Sequence, residues 1–252
     1  MLVHHRDAVE WLTQLEPGSI DLLLADPPYG HGKLRWDIQS PALRPEWWQA
    51  VRAATKRSAA VVLFAQGAFT AKLMGAGGKM WRYNLVWAKN KSTGFLNARR
   101  MPMRSHEDLC VFYRRRPHFS PQMTTGHAPQ SSWLRGDTGK HYGKTARGTS
   151  RAGATDRYPG SVLTFDVVNN DDPDRIHPSQ KPVPLLRWLI RSYSKPGQLV
   201  GDCFAGSAAT GVAAIAEGRS FMGCDMVGDY VSRANARLAR FLDANPVVDS
   251  AP

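Results

Sequence analysis

Apolar positions along the chain alternate between short unbroken runs and runs with a three-to-four spacing, the pattern of buried parallel strands separated by packed helices. Ile20 to Ala25 and Ala59 to Ala65 are unbroken and predict buried strands, as do the shorter Gln198 to Asp202 and Phe221 to Cys224. Leu2 to His5 predicts one more short strand at the start. Helical spacing marks Asp7 to Leu15, Pro45 to Lys56, Ala68 to Met74, Val183 to Tyr193, Val212 to Glu217 and Asp229 to Leu242, with stops such as Pro17-Gly18 and Pro196-Gly197 between elements. Arg82 to Ala88 and Asp108 to Tyr113 alternate instead, and predict an antiparallel pair. The resulting β-α-β-α rhythm is that of an α/β sheet protein.

Between these ordered stretches the texture changes. Lys89 to Phe95 and Arg99 to His106 are basic and aromatic without a period, and from Arg114 to about Val162 the chain is rich in Gly, Ser, Thr, Arg and Lys, with Trp133, His141 and Tyr142 isolated among them. A chain of 252 residues buries one sizeable core, so this stretch reads as an insertion into one domain. The boundaries drawn are a catalytic half at 1–113, a basic insertion at 114–165, a second half of the same domain at 166–244 and a frayed tail at 245–252.

Charge sharpens that division. Basic residues number 8 against 7 acidic over 1–78, 16 against 4 over 79–157, and 9 against 10 over 158–252, so the middle third carries the whole formal excess of +12. An excess confined to one segment points to a polyanionic partner, and nucleic acid is the natural one. The cations singled out for phosphate contact are Lys89, Lys91, Arg99, Arg100, Arg104, His106, Arg135, Lys140, Lys144 and Arg147. The absence of a membrane-length apolar run and of a signal-like start leads to an expected cytoplasmic location. Cys110, Cys203 and Cys224 have no metal-ligand spacing, so reduced thiols and no metal site are expected.

Two stretches carry candidate chemistry. Asp26-Pro27-Pro28-Tyr29 follows the strand Ile20 to Ala25 and so falls at a strand's carboxyl end, where open α/β sheets bind ligands. Its prolines offer no N–H, and the corner presents acceptors suited to an amino group. The second stretch is Leu199 to Thr210, a strand, an acid and a glycine-bearing turn, followed by Asp225 at the end of the next strand. That spacing suits a nucleoside, with the second acid on ribose hydroxyls. Neither Gly-x-Gly-x-x-Gly nor Gly-x-x-x-x-Gly-Lys-Ser/Thr is present, which disfavours a dehydrogenase and a nucleotidase.

Taken in order, Asp-Pro-Pro-Tyr at 26 to 29, His-Pro-Ser-Gln-Lys-Pro at 177 to 182 and Asp-Cys-Phe-Ala-Gly-Ser at 202 to 207 resemble the beta-class amino-group DNA methyltransferases. His106-Glu107 resembles the segment that precedes the recognition insert in that family. The resemblance implies a Rossmann-like, doubly wound, mostly parallel seven-stranded sheet, circularly permuted, with an antiparallel edge and a basic target-recognition insertion. It implies S-adenosylmethionine as cofactor, double-stranded DNA as partner, no membrane, and allows a homodimer within a restriction-modification system. Phe204, Ala205, Gly206 and Ser207 would shape the cofactor loop, Asp202 would lie near the methionine part, and Asp225 would take the ribose. Lys181 and Pro182 would line the same site, and Asp7 would lie near the adenine of the cofactor.

The same resemblance gives Asp26 and the Pro27 carbonyl the amine to hold, and Tyr29 the base to stack on, with the base flipped out of the duplex. Asp at the first motif position leans toward adenine N6 over cytosine N4. Ala208-Ala209 stands where the family usually has Gly-Thr, which leads to an expectation of weakened cofactor affinity and keeps a rival reading, a DNA-binding protein with a degenerate cofactor site. Cytosine C5 chemistry needs a cysteine following a proline, and none of the three does.

Overall fold

A computed structural model describes residues 2–30, 40–131, 151–173 and 175–245. Its sheet has eight strands: β1 Val3–His5, β2 Ile20–Ala25, β3 Thr55–Ala65, β4 Trp81–Thr93, β5 Arg104–Phe112, β6 Val162–Thr164, β7 Leu199–Asp202 and β8 Ser220–Asp225. Their spatial order is β1-β8-β7-β2-β3-β5-β4-β6. Only β5 runs against its neighbours, pairing antiparallel with both β3 and β4. The N-terminal strand lies parallel to the last one, with Val3 opposite Gly223 and His5 opposite Asp225, so the order of a doubly wound sheet is entered at an unusual point. Asn235 fixes this junction, accepting from the Val3 N–H and donating to its carbonyl, both at 2.9 Å.

The sheet carries one strand more than the seven anticipated. Val162–Thr164 extends it at the edge by pairing parallel with Val86 to Ala88, which draws this end of the sequence-drawn insertion into the sheet. A second compact unit comprises residues 121–160. Its described part is held by a Thr124–Arg157 bridge and by Arg157 donating to the carbonyls of Ala128 and Ala154.

Among the described residues, six helices cover the sheet: α1 Ala8–Gln14, α2 Pro45–Ala54, α3 Ala68–Gly77, α4 Val183–Tyr193, α5 Ala209–Ala216 and α6 Gly228–Ala244. The alternation of strand side chains explains the layers. In β3, Ala60, Val62 and Phe64 join a core with Leu185, Leu189, Ala213 and Leu238, while Val61, Leu63 and Ala65 face Trp47, Trp48 and Leu73. Both faces are buried, which is why β2 reads as unbroken apolar residues; each such leucine contributes on the order of 2 kcal/mol of burial. The polar exception, Asp21, sits at the amino end of β2 and is satisfied by Lys56 at 2.7 Å, Gln198 at 2.9 Å and the Leu199 N–H at 3.1 Å. Among the described residues, no helix is long and apolar enough to cross a membrane.

Parallel pairing places the carboxyl ends of β1, β8, β7, β2 and β3 on one edge, and the antiparallel run of β5 brings its beginning to that same edge, with Asp108 opposite Ala65. That edge is where the candidate residues gather.

Candidate active site

Four of the strands that end on this edge hand over an acid. Asp7 follows β1 and caps α1, its Oδ1 accepting from the Val9 and Glu10 N–H groups at 2.8 and 3.2 Å. Asp26 follows β2, Asp202 closes β7 and Asp225 closes β8. All four line one cleft of about 1010 Å³ with Pro27, Pro28, Tyr29, Lys181, Phe204, Ala205, Gly206 and Ser207. The cleft lies where the strand order reverses between β7 and β2, the usual ligand crevice of such sheets.

The turn after β7 is built by backbone bonds to its two acids. Asp202 Oδ1 accepts from the Phe204 N–H at 3.0 Å, and the two oxygens of Asp225 accept from Gly206 and Val227 at 2.9 Å each. Gly206 has φ +48°, which suits glycine, and the His177 ring lies 3.6 Å from where a Cβ would stand. Burial lifts Asp202 to about 7, despite hydrogen bonds from Thr210 and Phe204, and lifts Asp225 less. Burial also lowers His177 to about 4, helped by Lys181, Arg175 and Arg233, so a neutral imidazole covers the turn.

Ala208 has φ +53°, a left-handed conformation that costs an L residue roughly 1–2 kcal/mol. It is fully buried in the core beneath α5 and does not line the cleft, whereas Ala209 does. The methyl group that departs from glycine at 208 therefore meets the core and leaves the cleft open. Pro182 is also absent from the lining. It is buried as the first residue of the α4 entry, where it fixes the turn that aims Lys181.

Beside Asp26 the sequence reading missed a partner. Glu107, buried at the start of β5, lies 3.3 Å from the Tyr29 hydroxyl, which donates to Asp26 Oδ1 at 3.0 Å. Lys181 donates to Asp26 Oδ2 and stands 3.6 Å from Glu107 Oε2, while Lys89 donates to Glu107 Oε1. Burial raises the Asp26 carboxyl, with Lys181 opposing and Glu107 adding to the rise. Burial works on Glu107 too, but Lys181 and Lys89 outweigh it and hold this carboxyl low. Burial, Asp26 and Glu107 together push the Tyr29 hydroxyl far up, so it remains a donor. Lys181 stays cationic because the two acids overcome the effect of its burial.

Two expectations change here. The Tyr29 ring is stacked on Phe69 at 5.0 Å and 23°, and the Lys181 ammonium lies over it at 6.0 Å, so the ring expected to stack on a base already has protein neighbours. Lys89, expected on phosphate, has a side chain only 6% exposed, paired with Glu107 and set over the Trp87 ring, and offers no charge to a polyanion. Lys91, Arg99, Arg100, Arg104 and His106 are exposed on β4, β5 and the turn between them. Arg135, Lys140, Lys144 and Arg147 lie outside the described residues. The thiols are buried, which pushes Cys110 up to about 12 and raises Cys203 and Cys224 as well, a poor state for a nucleophile.

A family model for N6/N4-type DNA methylases matches residues 20–236. This chain belongs to that family. The methylase is 27% identical over 257 residues to the type II methyltransferase M1.MboII of Moraxella bovis, with 92% of this chain and 94% of the relative covered. It is 42% identical to the DNA adenine methyltransferase YhdJ of Escherichia coli K12 over 83 residues, which are 32% of this chain and 28% of that one. Among solved structures, M1.HpyAVI in complex with SAM matches with a TM-score of 0.62 at 19% identity, over 94% of this chain and 98% of the other. The cytosine-N4-specific PvuII DNA methyltransferase matches at 0.64 and 14%, over 94% and 89%. At these identities the structures establish the Rossmann-like methyltransferase fold, and family membership makes the chain a DNA amino-methyltransferase.

Proposed function

We propose that the methylase transfers a methyl group from S-adenosylmethionine to the exocyclic N6 of an adenine held out of the DNA duplex. The observation that carries this reading is the opening of Asp26 and Pro27 into the same cleft as Asp202, the Phe204 to Ser207 turn and Asp225.

The cleft fits the cofactor. Asp225 would take ribose hydroxyls on the lone pairs left beside its backbone bonds, Asp202 would hold the ammonium of the methionine part, and Phe204 and Asp7 would lie near the adenine. The core-facing methyl of Ala208 takes no room from it, which supports an enzyme over a DNA-binding protein with a degenerate site. S-adenosylmethionine would supply an electrophilic methyl group on its sulfonium.

The amine of a nucleobase is a weak nucleophile because its lone pair is delocalised into the ring. Asp26 and the Pro27 carbonyl accept its two N–H bonds and return electron density to nitrogen, and the Tyr29 ring holds the base plane. Lys181 and Tyr29 fix the carboxylate of Asp26 from both oxygens, so its orientation is set before the base arrives. The exposed cations Lys91, Arg99, Arg100, Arg104 and His106 grip phosphates, and the basic insertion, 114–165, reads the target sequence.

Adenine is favoured by the aspartate at position 26 and by the local likeness to a relative described as adenine-specific. Digestion of methylated DNA to nucleosides and mass spectrometry tests this choice. N6-methyladenine is expected, and N4-methylcytosine would replace adenine with cytosine as the substrate.

A further inference from the structure

Glu107 faces two cavities. It lines the cleft that holds Asp26 and also a second, open cavity of about 500 Å³ among the described residues, walled by Trp87, Lys89, Asn169, Asn170, Arg175 and Gln180. The Tyr29 hydroxyl stands between the acids, 3.0 Å from Asp26 Oδ1 and 3.3 Å from Glu107 Oε2. Lys181 bridges the same two carboxylates and Lys89 holds the far oxygen of Glu107. The catalytic acid is thus wired, through one hydroxyl, to a wall of a cavity other than the one its substrates fill.

We propose that the proton released at each methyl transfer leaves Asp26 through the Tyr29 hydroxyl to Glu107 and from there enters the second cavity. This inference rests on the methyl-transfer reading given above. The amine nitrogen gains its bond to carbon as the carbon–sulfur bond of the donor breaks, sulfur keeps the electron pair and becomes neutral, and one amine proton is left in excess. That proton passes to the Asp26 carboxylate. Asp26 then gives it to the Tyr29 oxygen as the Tyr29 proton goes to Glu107 Oε2, so the tyrosine never becomes charged. Glu107 yields its proton to water in the second cavity, the tyrosine hydroxyl rotates back, and both acids are anionic again.

An outlet of this kind answers a need of the site, because a cleft filled by cofactor and base leaves little water beside Asp26. The charges around the route divide the labour. Burial and the negative charge of Glu107 favour a proton on Asp26, against Lys181, whereas Lys181 and Lys89 prevent Glu107 from keeping one. The step onto Glu107 is uphill, and release to water at neutral pH draws it forward.

The test is a single turnover of the cofactor-loaded methylase on duplex DNA in weak buffer. A pH-indicator dye times proton release in stopped flow, rapid quench times methyl transfer, and a labelled duplex with a competitor times DNA release. In the unaltered protein, the proton should appear together with methyl transfer and ahead of DNA release. In Glu107→Gln and in Tyr29→Phe, it should lag behind methyl transfer and appear with DNA release. The proposal is overturned if proton release in the unaltered protein already waits for DNA release, which decides alone should a variant fail to fold or to transfer methyl. It is equally overturned if both variants release the proton in step with methylation. An unaltered chain that transfers no methyl group defeats the methyl-transfer reading instead. In the free protein, infrared titration of the protonated-carboxyl band reads the same wiring without substrate: Glu107→Gln should move the Asp26 band to lower pH, and an unmoved band would disconnect the two acids.

Discussion

Replacing Lys181 with methionine removes the cation that Asp26 and Glu107 share while keeping most of the side-chain volume. At 3.6 Å and an effective dielectric constant of about 20, the Lys181–Glu107 attraction is worth about 4–5 kcal/mol, and the shorter contact to Asp26 is worth at least as much. Water entering the vacated site screens the remaining charges and Asp26 is 21% exposed, so about 1.4 kcal/mol of this attraction, a factor of ten in equilibrium, is the working figure, and its loss raises the pKa of Asp26. Accepting an amine N–H requires the carboxylate, so activity is lost as pH falls through this pKa, and a raised pKa moves the acidic limb of the rate profile to higher pH. Lys181→Met should therefore methylate about tenfold more slowly near pH 7 and recover as the pH rises. The assay is single-turnover methyl transfer across the neutral and alkaline range, with DNA and cofactor held at saturation. An acidic limb left in place, or moved to lower pH, would refute the assignment of Lys181 as the counter-charge of Asp26.

Other expectations concern stability and DNA binding. Asp202 is held at about 7 against about 3.9 in an unfolded chain, so between these values the folded state keeps a proton that the unfolded state has lost, and stability falls as pH rises through the window by on the order of 4 kcal/mol at most. Asp202→Asn should flatten that slope in urea melts at pH 5 and pH 8; a slope as steep as the parent's would contradict it. Asp21→Ala takes the acceptor away from the half-exposed Lys56 ammonium, the Gln198 amide and the Leu199 N–H at the amino end of β2 and should cost about 2 kcal/mol in the same melts, with little change in methyl transfer per folded molecule. Arg99→Ala and Arg100→Ala should each reduce the slope of log affinity against log salt by about 1 in fluorescence titrations with duplex DNA, while unchanged slopes would remove these residues from the phosphate contacts.

The parallel half of the fold was legible because its strands are buried on both faces. Ile20 to Ala25 was located to the residue, and α4 matched from Val183 to Tyr193. Strand β6 escaped notice because three residues in a polar stretch have no period to read, and their pairing with β4 is set by the sheet edge alone. The acids at three strand ends were equally legible, since Asp26, Asp202 and Asp225 each close or follow an apolar run, whereas Asp7 follows His4-His5-Arg6 and was singled out by the family resemblance. Glu107 was harder: it precedes its apolar run, and only the antiparallel direction of β5 brings a strand's beginning to the carboxyl edge. His106-Glu107 had been noted as a motif, and the opposed alternations of the two strands were the signal that could have placed it. Lys89 was misassigned for a related reason, because charge counted along a sequence does not tell an outward cation from one turned toward a buried acid.

The central claim is that Asp26 carries out amine methylation in a cleft that also binds the cofactor. Tritium transfer from labelled S-adenosylmethionine to duplex DNA, measured for the unaltered chain and for Asp26→Ala alongside calorimetric cofactor binding, tests it most directly. The account predicts transfer by the unaltered chain, its loss in Asp26→Ala, and cofactor binding by both. No transfer and no cofactor binding by the unaltered chain, or transfer undiminished in Asp26→Ala, would contradict it.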